Sequence, residues 1–244
     1  MDNDSYRKKM NEKYKNWRKE IASFFKLEKK TKESDKIYAP SGNYYLTISS
    51  YHTGENTWQY TRGIIKDSKN NKVIADIKRN YSHFWYSWVQ HANGNEYLLC
   101  GEDYQGQTIV NVTKGTTKNY FPEAGFDGYG FCWLNAIASN KGNIIAVEGC
   151  YWACPYDIVF FDFSNPDELP YKELMRIEDV GDIEGWDNND VFTLDKEIEI
   201  RKSDGKEYDA LTDEEQEILD KDSTLIDYKK VIVKISSEEI LNEN

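Results

Sequence analysis

An internal repeat of 48 residues is the sequence feature that most constrains the fold. Four residues of one copy recur 48 positions later in the next copy. The pairs are Trp85 and Trp133, Gly94 and Gly142, Asn95 and Asn143, and Gly101 and Gly149. Residues 42–46 form a weaker third copy and residues 189–192 a degenerate fourth. A period of this length predicts a body assembled from similar structural units.

A second pattern closes each unit. A short apolar run, interrupted by one polar residue before its last apolar position, occurs at residues 73–77, 108–112, 159–163 and 231–235. Runs of this length, bounded by Gly, Asn, Lys and Ser, are typical of strands. The segments 69–71, 93–94 and 141–142 predict hairpin turns. The sequence therefore predicts four units of three or four antiparallel strands, at about residues 37–80, 81–122, 126–178 and 183–240.

The first thirty residues predict one amphipathic helix. Apolar side chains recur at steps of 4, 4, 3, 4 and 3, which place them on one helical face. These are Tyr6, Met10, Tyr14, Trp17, Ile21 and Phe24. We expect the helix to lie across the β body; the alternatives are an arm for a partner and a basic helix on a membrane surface. Residues 1–36 are thus a helix and linker, and residues 37–244 one β domain. In its fourth unit a capping box of Thr212 and Glu215 predicts an inserted helix near 212–221.

The units resemble WD40-like β-propeller repeats over residues 40–240. A hydrophobic run that ends in Asp, Phe160-Phe161-Asp162, is similar to the third strand of such a blade. No unit has the Gly-His start or the Trp-Asp ending of the family. The segment 149–156 also resembles segments of uncharacterised bacterial and viral proteins. The resemblance implies a mainly β, small propeller-like array of about four antiparallel blades behind the helix; the alternative fold is a two-sheet β-sandwich.

Charge restricts the class of partner. The net charge of −12 divides into +5 for residues 1–36 and −17 for the remainder. Because an acidic body repels phosphate, we expect no nucleic acid partner, and instead a basic protein or a small polar ligand. No segment has the ~20 apolar residues of a membrane span, and the charged N-terminus is unlike a signal peptide, which predicts a cytoplasmic protein.

The sequence gives no reason to expect a metal or a cofactor. The spacing of Cys100, Cys132, Cys150 and Cys154 fits neither a redox pair nor a zinc site, so these residues are interpreted as free thiols. The three histidines are His52, His83 and His91. The predicted turn at 93–94 should place His91 on the opposite face from the other two, which argues against a metal site built from all three.

A face rich in aromatic and acidic side chains is the predicted binding site. In a propeller, the loops between second and third strands open on the same face as the links between blades. The predicted site residues there are Tyr51, His52, Trp58, His83, Glu102, Asp103, Tyr104, Asp127, Tyr151 and Trp152. Tyr81, Phe126 and Tyr129 belong to the same face. Rings beside carboxylates are how proteins hold sugars, ammonium groups or basic peptides.

The sequence favours a non-enzymatic binding protein over an enzyme. No Gly-x-Ser-x-Gly, HExxH or P-loop motif occurs, so no catalytic residue is predicted. The predicted function is an interaction scaffold for a basic protein or a small ligand, one variant being an inhibitor or immunity-type protein. The alternative is a small hydrolase for a glycan or metabolite, with Glu102 and a second carboxylate from Asp103, Asp127 or Glu148.

Overall fold

The protein is mainly β, with four separate antiparallel sheets of three to five strands. The computed structural model describes residues 3–151 and 155–242. The predicted class and the four antiparallel units are confirmed, and the sheets number four rather than the two of a sandwich. The chain forms two compact units, Met1–Ala136 with Pro166–Pro170, and Ile137–Asn165 with Tyr171–Asn244.

The first sheet is a meander to which the preceding linker adds two short strands. Its strands are β1 (Lys30–Glu33), β2 (Ile37–Tyr38), β3 (Tyr44–Tyr51), β4 (Tyr60–Asp67) and β5 (Val73–Arg79). β3 pairs with β4 in register from Tyr44 opposite Asp67 to Tyr51 opposite Tyr60. Both β1 and β2 pair with β3. The linker after the helix is therefore part of the first sheet and not a free connection.

The second sheet also belongs to the first unit. Its order is β6 (Tyr86–Gln90), β7 (Glu96–Cys100), β8 (Gln107–Asn111) and β9 (Thr116–Tyr120). β7 is buried along its whole length. The first two sheets share one core, in which Leu46 and Ile65 pack with Leu98 and Val110. Burial of apolar area of this kind is the main stabilising contribution to such a unit.

The third and fourth sheets follow the same plan. The third contains β10 (Cys132–Ala138), β11 (Ile144–Cys150), β12 (Asp157–Asp162) and β13 (Glu173–Ile177). The fourth contains β14 (Val180–Trp186), β15 (Val191–Arg201) and β16 (Ile226–Ser236). The core of the second unit places Phe160 of β12 with Phe192 of β15 and with Trp186. In chain order, the predicted closing runs at 108–112, 159–163 and 231–235 lie on the third strands β8, β12 and β16, whereas the run at 73–77 lies on β5, the last strand of its sheet.

The 48-residue repeat is a repeat of structure. Trp85 directly precedes β6, Trp133 is the second residue of β10, and both are buried. An equivalent turn precedes each of β3, β7, β11 and β15, and each turn has one residue in the left-handed region of backbone conformation. These residues are Gly42 (φ 70°), Gly94 (φ 83°), Gly142 (φ 72°) and Asp190 (φ 57°). The degenerate fourth copy therefore keeps the turn, with an Asp where the others use the residue best suited to positive φ.

The N-terminal helix, α1 (Asn3–Ala22), packs on the first unit as predicted. Ile21 is buried, and the rings of Tyr14 and Trp17 pack against Phe121. Phe24, just beyond the helix, packs against Tyr60. The side chain of Tyr6 lies outside the described residues.

Two shorter helices belong to the second unit. α2 (Asp213–Lys221) begins with the predicted capping box, since Thr212 accepts from the Glu215 N–H and Glu215 accepts from the Thr212 N–H. α3 (Ser237–Asn242) follows β16. None of the helices in the described part of the chain is both long and apolar enough to cross a bilayer.

The excess of negative charge belongs to the second unit. That unit holds 11 Lys and Arg against 26 Asp and Glu, a net charge of −15. The first unit has a net charge of +3. The negative charge of the body that the sequence shows is thus concentrated in the second unit.

The described cysteines are buried free thiols. Cys100, Cys132 and Cys150 form no disulfide. Burial raises the pKa of the Cys100 thiol to about 12, which keeps it protonated and unreactive. Cys154 lies outside the described residues. Within residues 3–151 and 155–242, no group of three His, Cys, Asp or Glu side chains is arranged to hold a metal ion.

Candidate binding site

Arg18 of α1 fixes the helix to the loop that follows β7. Its guanidinium places one nitrogen 2.6 Å from Asp103 Oδ1 and the other 2.6 Å from Glu102 Oε1. It also donates to the backbone carbonyl of Lys78, at 2.7 Å. Only 2% of the Asp103 side chain is exposed. This buried ion pair joins residues 85 positions apart, so the helix is anchored at one defined position.

Tyr14 forms a hydrogen bond with the other carboxylate oxygen of Asp103. Its hydroxyl donates to Asp103 Oδ2 at 2.6 Å, and its ring stacks on Phe121 with 5.3 Å between ring centres. Burial and the negative charge of Asp103 both raise the pKa of Tyr14, so the phenol remains a donor. Both oxygens of Asp103 are therefore satisfied by the helix.

The buried position of Glu102 disfavours the charged form of its carboxylate. Burial raises its pKa, and the Arg18 guanidinium only partly counteracts this effect. Asn119 Nδ2 donates to its second oxygen at 2.9 Å. The binding of a basic partner by Glu102 and Asp103 stays a prediction; in this structure the cation that they hold is Arg18 of the same chain.

A buried arginine shapes the loop that carries these carboxylates. Arg79 at the end of β5 donates to the backbone carbonyls of His83, Gly101 and Asp103 at 2.7–2.8 Å. Burial lowers its pKa to about 10. A Cβ at Gly101 would lie 2.5 Å from this guanidinium, so only glycine fits there. Arg79 thus holds the backbone of the neighbouring loops in place.

Next to the helix lies a cavity of about 330 Å³ with mainly aromatic walls. Its lining residues are Trp17, Trp58, Tyr60, Asn80, Tyr104, Gln105, Phe121, Gly125 and Gly128. The rings form two groups: Trp17 packs on Phe121, while Trp58 and Tyr104 both pack on Tyr81. No Asp, Glu, Lys or Arg occurs among these lining residues. Concave apolar sites with a few polar groups are the usual form of small-ligand sites.

Two amide side chains line this cavity, and only one is fully hydrogen-bonded. Gln105 donates to Gly128 O at 2.9 Å and accepts from the Gly130 N–H at 3.3 Å. Asn80 accepts from the Tyr104 N–H at 2.8 Å through Oδ1. Its Nδ2 has no acceptor among the described residues, although Asn80 is only 9% exposed. The cavity therefore contains one oriented donor that a ligand could satisfy.

Of the ten predicted site residues, Trp58 and Tyr104 line the cavity. Trp58 is 62% exposed, on the loop between β3 and β4. Tyr51, by contrast, is a core residue whose ring packs against Phe25 at 5.0 Å. His52 is exposed and donates its backbone N–H to Lys29 O.

The remaining predicted residues lie outside the cavity lining. His83 is largely exposed. The part of its imidazole that is shielded from water, together with the charge of Arg79, lowers the pKa of the imidazole. Asp127 is exposed, at the end of a short 3-10 turn that begins at Glu123. Tyr151 belongs to the second unit, where the Arg176 guanidinium lies 5.3 Å from its ring centre. Trp152 lies outside the described residues.

The sequence interpretation missed most of the cavity. Trp17, Tyr60, Asn80, Gln105 and Phe121 were not among the predicted site residues, although the aromatic face of α1 gave a signal for Trp17. Of the other aromatic candidates on the predicted face, Phe126 packs edge-on against Phe121 and lines a second cavity of about 230 Å³ beside the first. Tyr129 is 68% exposed.

Comparison with known proteins identifies a relative from a virus. No family model matches the chain. Over 207 residues it is 33% identical to a protein of Acanthamoeba polyphaga mimivirus described as "Uncharacterized protein R762", and the match covers 80% of both chains. Among solved structures, the β-propeller domain of Myceliophteria thermophila Cps50 (Swd1) matches with a TM-score of 0.42 and 11% identity. That match covers 68% of this chain and about half (48%) of the other. The chain belongs to the same protein family as mimivirus protein R762.

Proposed function

We propose that this is a binding protein that holds a small polar ligand in the aromatic cavity of its first unit. The observation that carries the proposal is the unsatisfied amide nitrogen of Asn80 in a cavity walled by five aromatic side chains. This nitrogen has no hydrogen-bond acceptor among the described residues, so it is free to donate to an oxygen of a ligand in the cavity. Aromatic walls supply contact area with little loss of side-chain entropy.

The hydrolase alternative has less support. Hydrolysis of a glycoside needs two carboxyl groups beside the scissile bond. The described lining of the cavity includes none, and Glu102 and Asp103 are both bound to Arg18. A binding role requires only the groups that line the cavity.

The proposal predicts ligand-dependent shifts at the two tryptophans of the cavity. The full chain would be labelled with 5-fluorotryptophan and screened by ¹⁹F NMR against small neutral, cationic and anionic polar molecules. We expect at least one of them to shift the Trp17 and Trp58 signals while that of Trp186, which packs against the core of the second unit, stays unchanged.

Assignments would come from single Trp-to-Phe variants. Asn80→Leu, which keeps a similar volume and removes the donor, should weaken binding of the selected molecules by ~10-fold. A screen in which no molecule shifts either cavity tryptophan would refute the proposal.

A basic protein partner is the second candidate, and the second unit offers a surface for it. A groove of about 480 Å³ is lined by Asp179, Asp182, Glu197, Glu199, Tyr156 and Tyr228, with Pro155, Val180, Gly181 and Lys230. Lys230 pairs with Asp182 at 3.4 Å and with Asp195 at 3.1 Å. With a net charge of −15 on the unit, this surface would attract a basic segment, as an inhibitor of a basic protein requires.

Hexalysine binding at low and high salt tests this candidate. Removing two charges with Glu197→Gln and Glu199→Gln should weaken binding ~5-fold at low ionic strength, and the difference should vanish near 1 M salt. Glu214→Gln with Glu217→Gln, at two exposed positions on α2, is the matched control that removes the same number of charges, and it should have little effect. Equal losses in the double variant and the control would mean that only the net charge of the unit acts.

A further inference from the structure

We infer that the ligand of the aromatic cavity is a carbohydrate, bound as a pyranose ring against the tryptophan faces; the inference rests on the function proposed above. Three properties of the cavity support this class of ligand: its lack of charge, its unsatisfied polar groups and the angles between its rings.

The lack of charge disfavours an ionic ligand. The described lining contains no ionised side chain, and the nearby carboxylates of Glu102 and Asp103 are both paired with Arg18. An aromatic cage can hold an ammonium group, but a net charge of +3 on the first unit opposes a cation. A neutral molecule fits this environment best.

The unsatisfied polar groups call for a ligand rich in oxygen. Asn80 Nδ2 has no acceptor among the described residues, and Asn80 is held in place because its Oδ1 accepts from the Tyr104 N–H and its own N–H donates to Glu102 O. The hydroxyl of Tyr60, also in the lining, has no hydrogen bond among the described residues. It can donate or accept. Sugar hydroxyl groups supply both functions at short spacing.

The ring angles suit a puckered molecule better than a flat one. Of the rings that line the cavity, Trp17 and Phe121 are inclined at 66° to each other and are not parallel. A nucleobase stacks best on an aromatic plane or between parallel planes. A pyranose instead presents C–H groups on its faces, which pack on one indole while its edge hydroxyls reach the amide. Trp58, being largely exposed, offers such a face.

The test compares named probes of three classes on the full chain. The sugars are glucose, galactose, mannose, N-acetylglucosamine and their di- and trisaccharides; tetramethylammonium represents cations and adenosine represents bases. Binding is followed by the ¹⁹F signals of Trp17 and Trp58 and by titration calorimetry. We expect at least one sugar to bind, and the comparison of mono- with trisaccharides to show whether a free sugar or a longer glycan is preferred.

Two variants and one control locate the sugar. Trp58→Ala and Asn80→Leu should each weaken sugar binding by ~10-fold or more. Tyr129→Ala removes an exposed ring of the first unit that is outside the cavity lining, and should change affinity less than ~2-fold. Because Asn80 is buried, the affinity of Asn80→Leu is compared with that of the wild type only if the two melting curves agree. Trp58 is largely exposed, so Trp58→Ala tests the site without this risk to the fold.

The outcomes separate the two proposals. Signals that move with tetramethylammonium or adenosine but with no sugar would overturn the carbohydrate assignment and leave the binding function standing. If no probe and no member of the wider screen moves either tryptophan signal, both the assignment and the proposed function are wrong. Sugar binding that Trp58→Ala and Asn80→Leu leave unchanged would overturn the assignment to this cavity.

Discussion

Replacing Arg18 with Met should destabilise the protein by about 3–5 kcal/mol at neutral pH, the usual cost of removing one partner of a buried ion pair. Asp103 would stay almost fully buried with only the Tyr14 hydroxyl as a side-chain partner, and Glu102 would lose its guanidinium. Urea unfolding, with the free energy extrapolated to water, gives the measurement.

The loss should also depend on pH. The pKa of Glu102 is raised in the folded protein, so its contribution to stability is present below its ordinary pKa and lost as pH rises through the raised value. Because Arg18 limits this rise, the pKa of Glu102 should be higher still in the variant. The difference in unfolding free energy between wild type and Arg18→Met should therefore be larger at pH 7 than near pH 4.5.

Lys19→Met is the matched control, since Lys19 is the neighbouring, exposed cation of the same helix. It should change stability by no more than about 0.5 kcal/mol. Adding Asp103→Asn to Arg18→Met removes the unpaired charge and should recover part of the loss. A loss below about 1 kcal/mol for Arg18→Met would show that apolar packing, and not this ion pair, anchors α1.

Replacing Phe160 with Ala should cost about 3–5 kcal/mol in the second unit. Phe160 is fully buried on β12, with ring centres 5.2 Å from Phe192 and 5.9 Å from Trp186. Removing the ring leaves a cavity that β-sheet neighbours can fill only in part, and it also removes two edge-on aromatic contacts.

Thermal and urea unfolding, followed by near-ultraviolet circular dichroism, would measure the effect of Phe160→Ala. Tyr228→Ala is the control, since Tyr228 is a 60% exposed aromatic residue of the same unit. We expect it to change stability by less than about 0.5 kcal/mol. Similar small losses for both variants would contradict the assignment of Phe160 to the core.

Much of the local architecture could be predicted because its signals are short in sequence. The left-handed residues of the turns, Gly42, Gly94 and Gly142, mark hairpins through a steric rule that acts on single residues. The capping box at Thr212 and the apolar face of α1 are equally local. The even spacing of these signals was sufficient to predict four antiparallel units.

The candidate site could be predicted only in part. Trp58 and Tyr104 were found because they lie in loops beside repeat landmarks. With aromatic residues at 14% of the chain, however, composition alone does not show which rings converge. Asn80 gave no signal at all, since an Asn after a strand is normally a turn residue, and its role follows from an unsatisfied nitrogen seen only in three dimensions.

By itself, the sequence determined the pattern of strands and turns, the N-terminal helix and the face on which it packs. Each of these features depends on residues that are close together in the sequence. Tertiary structure alone decided that Arg18 reaches Asp103, that Trp17 completes a cavity with Trp58, and that the negative charge is concentrated in the second unit. These features join residues 41 to 85 positions apart. Such contacts depend on how whole elements pack, which local periodicity does not specify.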